Sequence, residues 1–225
     1  MTEFDEIHTF SDCCGGQNRN RTIISLISYV CATKNISAWT YTFLESGHSL
    51  LPNDTDFGKI EKKKNLRENI FTFSHWVNLI RDCRFSVYHM KGRFLNISKL
   101  VETHTFRQNN CAGVKFNWLK LKWLRISKSN PTVMEYRTTH DSNSVVESYD
   151  FSSRKNLRFS EKTNLETFYP VPVKISSEKY NDLISLLPFV PEVYHSYFRQ
   201  LSFSGPNKKQ VETHPDIIEE AEETF

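Results

Sequence analysis

Apolar and polar positions alternate with two different periods along the chain. Ile7-His-Thr-Phe-Ser-Asp12 is short and rich in β-formers, and predicts a strand that ends at Asp12. The glycines of Cys13-Cys14-Gly15-Gly16 predict a turn after it. Ile23, Leu26, Ile27 and Val30 then recur at helical spacing, which predicts an amphipathic helix capped by Asn20 or Thr22. Trp39, Tyr41 and Phe43 alternate within Ala38–Leu44, the pattern of a second strand. A strand–helix–strand unit over residues 7–44 predicts a parallel pair with a right-handed crossover.

Beyond a loop holding Pro52, a basic helix is expected from about Asp56 to Asn69, with Asp56 at its start. Thr72 or Ser74 is placed to cap a second helix carrying Phe73, Trp76, Val77 and Ile80, and Phe85–Met90 reads as a strand. The pattern changes near residue 110. Val114, Phe116 and Trp118 alternate with polar residues, and Leu119 to Ile126 continue the alternation after one slip that suggests a bulge. Val133–Thr138 and Ser144–Phe151 are further strand candidates, with turns expected at Asn130-Pro131 and Asp141–Asn143. Tyr169–Val173 reads as an extended link. Glu178–Leu187 and Glu192–Leu201 read as short helices punctuated by Pro188 and Pro191. The expected class is α/β. Residues 1–110 would form an α/β region and 111–175 an antiparallel β module. Residues 176–203 would be a helical pair, and 204–225 an acidic disordered tail.

Charge sharpens this picture. The chain carries 29 Lys+Arg and 26 Asp+Glu, a net +3. Six acids lie in Glu212–Phe225, which leaves 29 basic against 20 acidic residues, +9, on residues 1–211. A basic body suits a polyanionic partner such as DNA. Aromatics at 13% and charged residues at 24% fit a folded chain. No apolar run approaches the length of about 18 residues that a membrane helix needs. The N-terminus lacks the pattern of a secretory signal, and the 5 cysteines contain no Cys-x-x-Cys pair. Reduced thiols and an intracellular location are expected, nuclear rather than cytoplasmic given a DNA partner.

Three acids stand out: Asp12 at a strand end, Asp56, and Glu61 on the following helix. Carboxylates brought together from separate elements are the hard ligands that divalent-metal phosphoryl transfer requires. On the residues alone the favoured reading is that Asp12 caps its turn and Glu61 sits solvated beside Lys62 and Lys64. Lys59, Lys62, Lys63, Lys64 and Arg67 are candidates for phosphate contact, or a wet helix face. Trp118, Trp123 and Tyr136 among Lys115, Lys120, Lys122, Arg125 and Lys128 suggest either an aromatic–basic nucleic-acid surface or an ordinary two-faced sheet. The 8 histidines show no zinc spacing, and no P-loop, dinucleotide or nucleophile-elbow motif occurs.

The order of features carries a resemblance. Ser11-Asp-Cys-Cys-Gly-Gly-Gln-Asn18, then Ser46-Gly-His-Ser49, then Asp54-x-Asp56-Phe-x-x-Ile-Glu61 resembles a eukaryotic, transposon-associated family of unknown function. Its signature is Asp followed by Cys-Gly-Gly-Gln-Asn, then Gly-His-Ser/Thr, an Asp, and Ile-Glu with a basic residue. Tyr169-Pro-Val-Pro-Val-Lys-Ile-Ser176 and Pro191-Glu-Val-Tyr-His195 fit the same pattern, so the likeness spans most of residues 8–201. More distantly, the order is similar to the C-terminal half of a DDE transposase or integrase core. That likeness implies a partial ribonuclease-H-like fold and a metal-dependent DNA strand-transfer site using Mg²⁺ or Mn²⁺. Asp12 and Glu61 would be the metal-binding acids, Asp56 would sit at the helix start, and Asn18 and His48 would lie nearby. The chain departs from the pattern in its doubled Cys13-Cys14 and in having only eleven residues before Asp12, where the first catalytic Asp and its strand belong. A truncated copy, inactive alone, is the expectation. A non-catalytic nucleic-acid- or protein-binding remnant is the alternative.

Overall fold

A computed structural model describes residues 5–45, 47, 51–153 and 165–204. The elements, in chain order, are β1 (Glu6–Ser11), α1 (Gly15–Asn18), α2 (Arg21–Thr33), β2 (Ala38–Phe43), α3 (Pro52–Asn65), α4 (Phe73–Asp82) and α5 (Ser98–Glu102). They continue with β3 (Trp123–Ser127), β4 (Asn130–Arg137), β5 (Glu147–Asp150), α6 (Ser177–Ser185) and α7 (His195–Arg199). The described residues fall into two compact units. One takes those within 1–49 and 96–166, the other those within 50–95 and 167–212. The class is mixed α/β, and no helix among the described residues is long and apolar enough to cross a membrane.

The first unit is built on a five-stranded sheet in sequential order, β1-β2-β3-β4-β5. β1 and β2 are parallel, in register from Glu6 opposite Ala38 to Ser11 opposite Phe43. Every later pair is antiparallel. The parallel pair is the one expected from the periodicity, because a 13-residue helix lies between its strands. Asn20 caps that helix by accepting the Ile23 N–H at 3.0 Å. The strands expected to form a separate β module instead continue the sheet, with Thr42 opposite Trp123 and Ala38 opposite Ser127.

One sheet face is the core. Tyr41 and Phe43 on β2, Leu124 and Ile126 on β3, Met134 and Tyr136 on β4 and Tyr149 on β5 are buried with Ile24, Ile27 and Cys31 of α2. Burial pushes the Cys31 thiol up to about 11, so it is an inert apolar filler at neutral pH. Phe116 stacks on Tyr149 at 4.2 Å between centroids, and the Tyr149 hydroxyl donates to the Arg107 carbonyl at 2.6 Å. The Asn110 amide donates to the Tyr136 hydroxyl and to Glu147, while its oxygen accepts the Ala112 and Val114 N–H groups. Burial, with the Glu147 carboxylate alongside, raises the Tyr136 phenol to about 12, so it stays a donor.

Several local expectations are corrected. Val114–Leu121 is not strand: a single bridge joins Asn109 to Lys115, and Asn117 then caps a 3₁₀ turn over Trp118–Lys120 by accepting the Leu119 N–H. The β3–β4 turn is Lys128-Ser129, because Ser127 pairs with Asn130, so Asn130-Pro131 opens the strand rather than the turn. Phe85–Met90 forms no strand: Arg84 takes a left-handed φ of 66° after α4, and no partner strand meets the segment among the described residues.

In the second unit α3 begins at Pro52, earlier than Asp56. Proline suits the first helical turn, and the Asp54 carboxylate accepts the Leu51 N–H at 2.7 Å. Thr72 precedes α4 as expected but makes no side-chain capping bond. The second C-terminal helix is a 3₁₀ turn, Glu192–Tyr194, running into the short α7. The expected tail from residue 205 onward lies outside the described residues.

Two outcomes follow from the first unit's core. Leu124→Ala, at a fully buried central position, should cost about 2–5 kcal/mol in a denaturant melt. His104 is enclosed by the Leu100 carbonyl at 3.0 Å, Ser28 at 3.2 Å and the Phe151 ring at 5.0 Å, and burial lowers its pKa. A lowered histidine pKa means that the unfolded chain binds the proton first. Stability is therefore full above the ordinary histidine value, about 6.5, and is lost as pH falls below it. Thermal melts between pH 7.5 and pH 5 should show this decline, and His104→Gln should flatten it.

Candidate functional site

Asp12 sits in the turn that closes the C-terminal end of β1. The Leu44 N–H donates to the Ser11 carbonyl at 2.8 Å, so the strand's last pairing lies immediately before the acid. The Asp12 Oδ1 accepts from the Asn18 side-chain amide at 2.6 Å and from the Cys14 N–H at 3.2 Å. A carboxylate taking the N–H two residues on is an Asx turn, so the capping alternative matches what this side chain does. Asn18 lies beside Asp12 and presents its NH₂ as a donor rather than an oxygen to a metal.

The turn is locked from beneath by Arg19, a residue that no sequence pattern marks. Its guanidinium donates to the carbonyls of Cys13 and Leu119, reaches Leu121 O at 3.4 Å, and lies 6.0 Å from the centroid of the Phe43 ring. It thereby ties the end of β1 to the segment that leads into β3. The Cys13 thiol adds a bond to the Leu44 carbonyl. His48 and most of the Gly-His-Ser motif lie outside the described residues.

Asp56 and Glu61 share α3, in the other unit. Asp56 lies a turn inside the helix and pairs with Lys59 at 2.7 Å; Glu61 pairs with Lys64 at 2.9 Å. Arg67 follows the helix and pairs with Asp82 of α4 at 2.5 Å. Lys62 and Lys63 have no acidic partner among the described residues. Lys62, Lys63 and Lys64 occupy the last turn, where cations complement the helix dipole. Exposed pairs of this kind contribute only about 0–1 kcal/mol, so Lys59, Lys64 and Arg67 can exchange their acids for phosphates at little cost.

Among the described residues no three His, Cys, Asp or Glu side chains converge as a metal site. Within its own unit Asp12 accepts the hydrogen bonds of a turn, and Asp56 and Glu61 lie on α3 in separate exposed pairs with lysines. Taken within each unit, these donors do not fit a pair of divalent ions, which need several hard oxygens on shared centres.

The aromatic–basic set near residue 120 is divided. Tyr136 is buried and Trp118 packs against the core, so neither shares a surface with Trp123. Trp123 lies on the opposite sheet face, 4.5 Å beneath the Arg137 guanidinium, and Arg125 reaches across to Glu6 at 2.8 Å. The pattern missed a different grouping in the second unit. Phe71 and Tyr194 stack at 5.3 Å, and the His75 ring meets Tyr194 edge-on at 4.9 Å. Both His75 and Tyr194 line a cavity of about 290 Å³. Residues this far apart in the chain leave no local periodicity to find them by.

Asp12→Ala should lower stability by about 1–2 kcal/mol through two lost hydrogen bonds. Asp12→Asn, which keeps an acceptor oxygen, should stay within about 0.5 kcal/mol of the parent. Urea melts of the two variants check the turn role. Comparison with family models, with curated proteins and with solved structures finds no match to this chain.

Proposed function

We propose that the chain is a transposon-derived nucleic-acid-binding protein, built like the C-terminal part of a DDE-type core and acting by binding rather than by cutting alone. The order β1, turn with Asp12, α2, parallel β2, then α3 with Glu61 supports the ribonuclease-H-like reading, because it is the order in which such cores carry their later acids. The state of those acids favours binding over catalysis. Asp12 holds a turn, and Asp56 and Glu61 neutralise lysines. Cleavage would need further carboxylates beside Asp12, and no such group gathers among the described residues. A DNA partner implies a nuclear location.

The observation that carries the reading is the exposed C-terminal half of α3. Lys62 and Lys63 have no acidic partner among the described residues, while Lys59, Lys64 and Arg67 hold theirs only in weak surface pairs. Duplex DNA binding measured against salt concentration should give a steep slope. Lys62→Ala with Lys63→Ala should reduce that slope by roughly two, about one per lost phosphate contact. A flat slope in the parent chain contradicts the reading. Magnesium-dependent nicking of a supercoiled plasmid, abolished by Asp12→Asn, would replace it with a catalytic one.

A further inference from the structure

The geometry points to a nucleotide-binding pocket in the second unit, taking one unstacked nucleotide of a single strand with its phosphate at Arg67 and its base against Trp76. This deepens the binding reading of α3 and rests on nucleic acid being the partner. Two open surface clefts of about 290 Å³ and 420 Å³ adjoin there and share Arg67 and Ile70 in their walls. The smaller lies at the lower end of the range of about 300–1,000 Å³ typical of small-ligand sites, and the pair offers separate room for a phosphate and a base.

The walls carry side-chain donors that no protein group uses among the described residues. Asn69, Asn78 and Tyr194 line the smaller cavity, and their side-chain polar atoms have no hydrogen-bond partner among the described residues. The Phe71 N–H donates to His75 Nδ1 at 3.2 Å, so the neutral imidazole carries its proton on Nε2 and adds another donor to that wall. Arg67 gives one guanidinium nitrogen to Asp82 at 2.5 Å, an exposed pair that orients the group and leaves its other N–H groups for a ligand. Lys64 and Glu68 line the larger cavity, and Lys64 holds Glu61 in an exposed pair at 2.9 Å that a phosphate can displace at little cost.

An anion alone would use only these donors. The larger cavity also holds the indole of Trp76, which is 39% exposed although it belongs to a helix with a buried face at Leu79. An exposed indole next to a guanidinium is the stacking platform on which proteins seat single-stranded bases without regard to sequence. The two cavities thus divide the labour a nucleotide requires: donors for phosphate and base edges, an aromatic face for stacking.

Tryptophan fluorescence of the full chain, titrated with thymidine 5′-monophosphate, tests this. Saturable quenching is expected, with thymidine binding roughly tenfold more weakly because it lacks the phosphate. Trp76→Ala should weaken binding roughly tenfold. Asn78→Asp, an exposed change that preserves the fold and adds a repelling charge, should do the same. Absence of saturable quenching at millimolar nucleotide overturns the pocket, as does quenching unaffected by Asn78→Asp. Inorganic phosphate competing as well as the nucleotide also overturns it, leaving an anion site only. Salt-dependent duplex binding without a nucleotide response overturns the pocket and leaves the α3 reading standing. A nucleotide response with a flat salt slope supports the pocket and overturns the α3 interface.

Discussion

β2 is hydrogen-bonded along both edges, parallel to β1 on one side and antiparallel to β3 on the other, and the rest of the first unit depends on that double pairing. A strand paired on both sides and covered on one face must be apolar toward the cover. Tyr41 and Phe43 meet that requirement by packing against α2 and the rings of the later strands. The two pairings differ in what they ask of the chain. The parallel side needs a crossover, and α2 supplies it immediately. The antiparallel side is filled by a strand that arrives only at Trp123. The second unit is formed from part of the stretch between, together with the described residues within 167–212.

The same pairing explains the position of Asp12. The β1 strand ends where its register with β2 ends, at Ser11 opposite Phe43, so the next residue must turn. An aspartate there satisfies the turn's own donors, the Cys14 N–H and the Asn18 amide. Arg19 binds the carbonyls of both the turn and the approach to β3, and so joins the two sides of β2 beyond its C-terminal end. An acid at a strand end thus has a complete structural role before any ligand is invoked. The nucleic-acid reading rests instead on α3, where the cations outnumber the acids that can hold them.

The sequence made β1, α2 and β2 legible because each shows its own period over enough residues, and because a helix between two strands restricts their pairing. It did not show that β3 to β5 extend the same sheet: alternation at Leu124 and Ile126 identifies a buried face but not the neighbouring strand. Leu119 and Leu121 fit a strand pattern that Asn117 interrupts by capping a turn, a competition between side-chain hydrogen bonding and apolar spacing. α3 starts four residues before Asp56, because Asp54 and Pro52, which look like loop formers in isolation, are both first-turn residues. The candidate acids were visible as residue types, while their partners, Asn18, Lys59 and Lys64, emerge only from the turn and helix geometry. The His75–Tyr194 contact joins distant segments and leaves no trace in local pattern.

Amide hydrogen exchange across the sheet tests the central claim, that one continuous sheet organises the first unit. Amides of β1 to β4 that pair in the ladder should exchange with one common free energy, the global unfolding value, and lose protection together as denaturant is added. Protection in β3, β4 and β5 that disappears while β1 and β2 stay closed would show two independent modules, and would contradict the account.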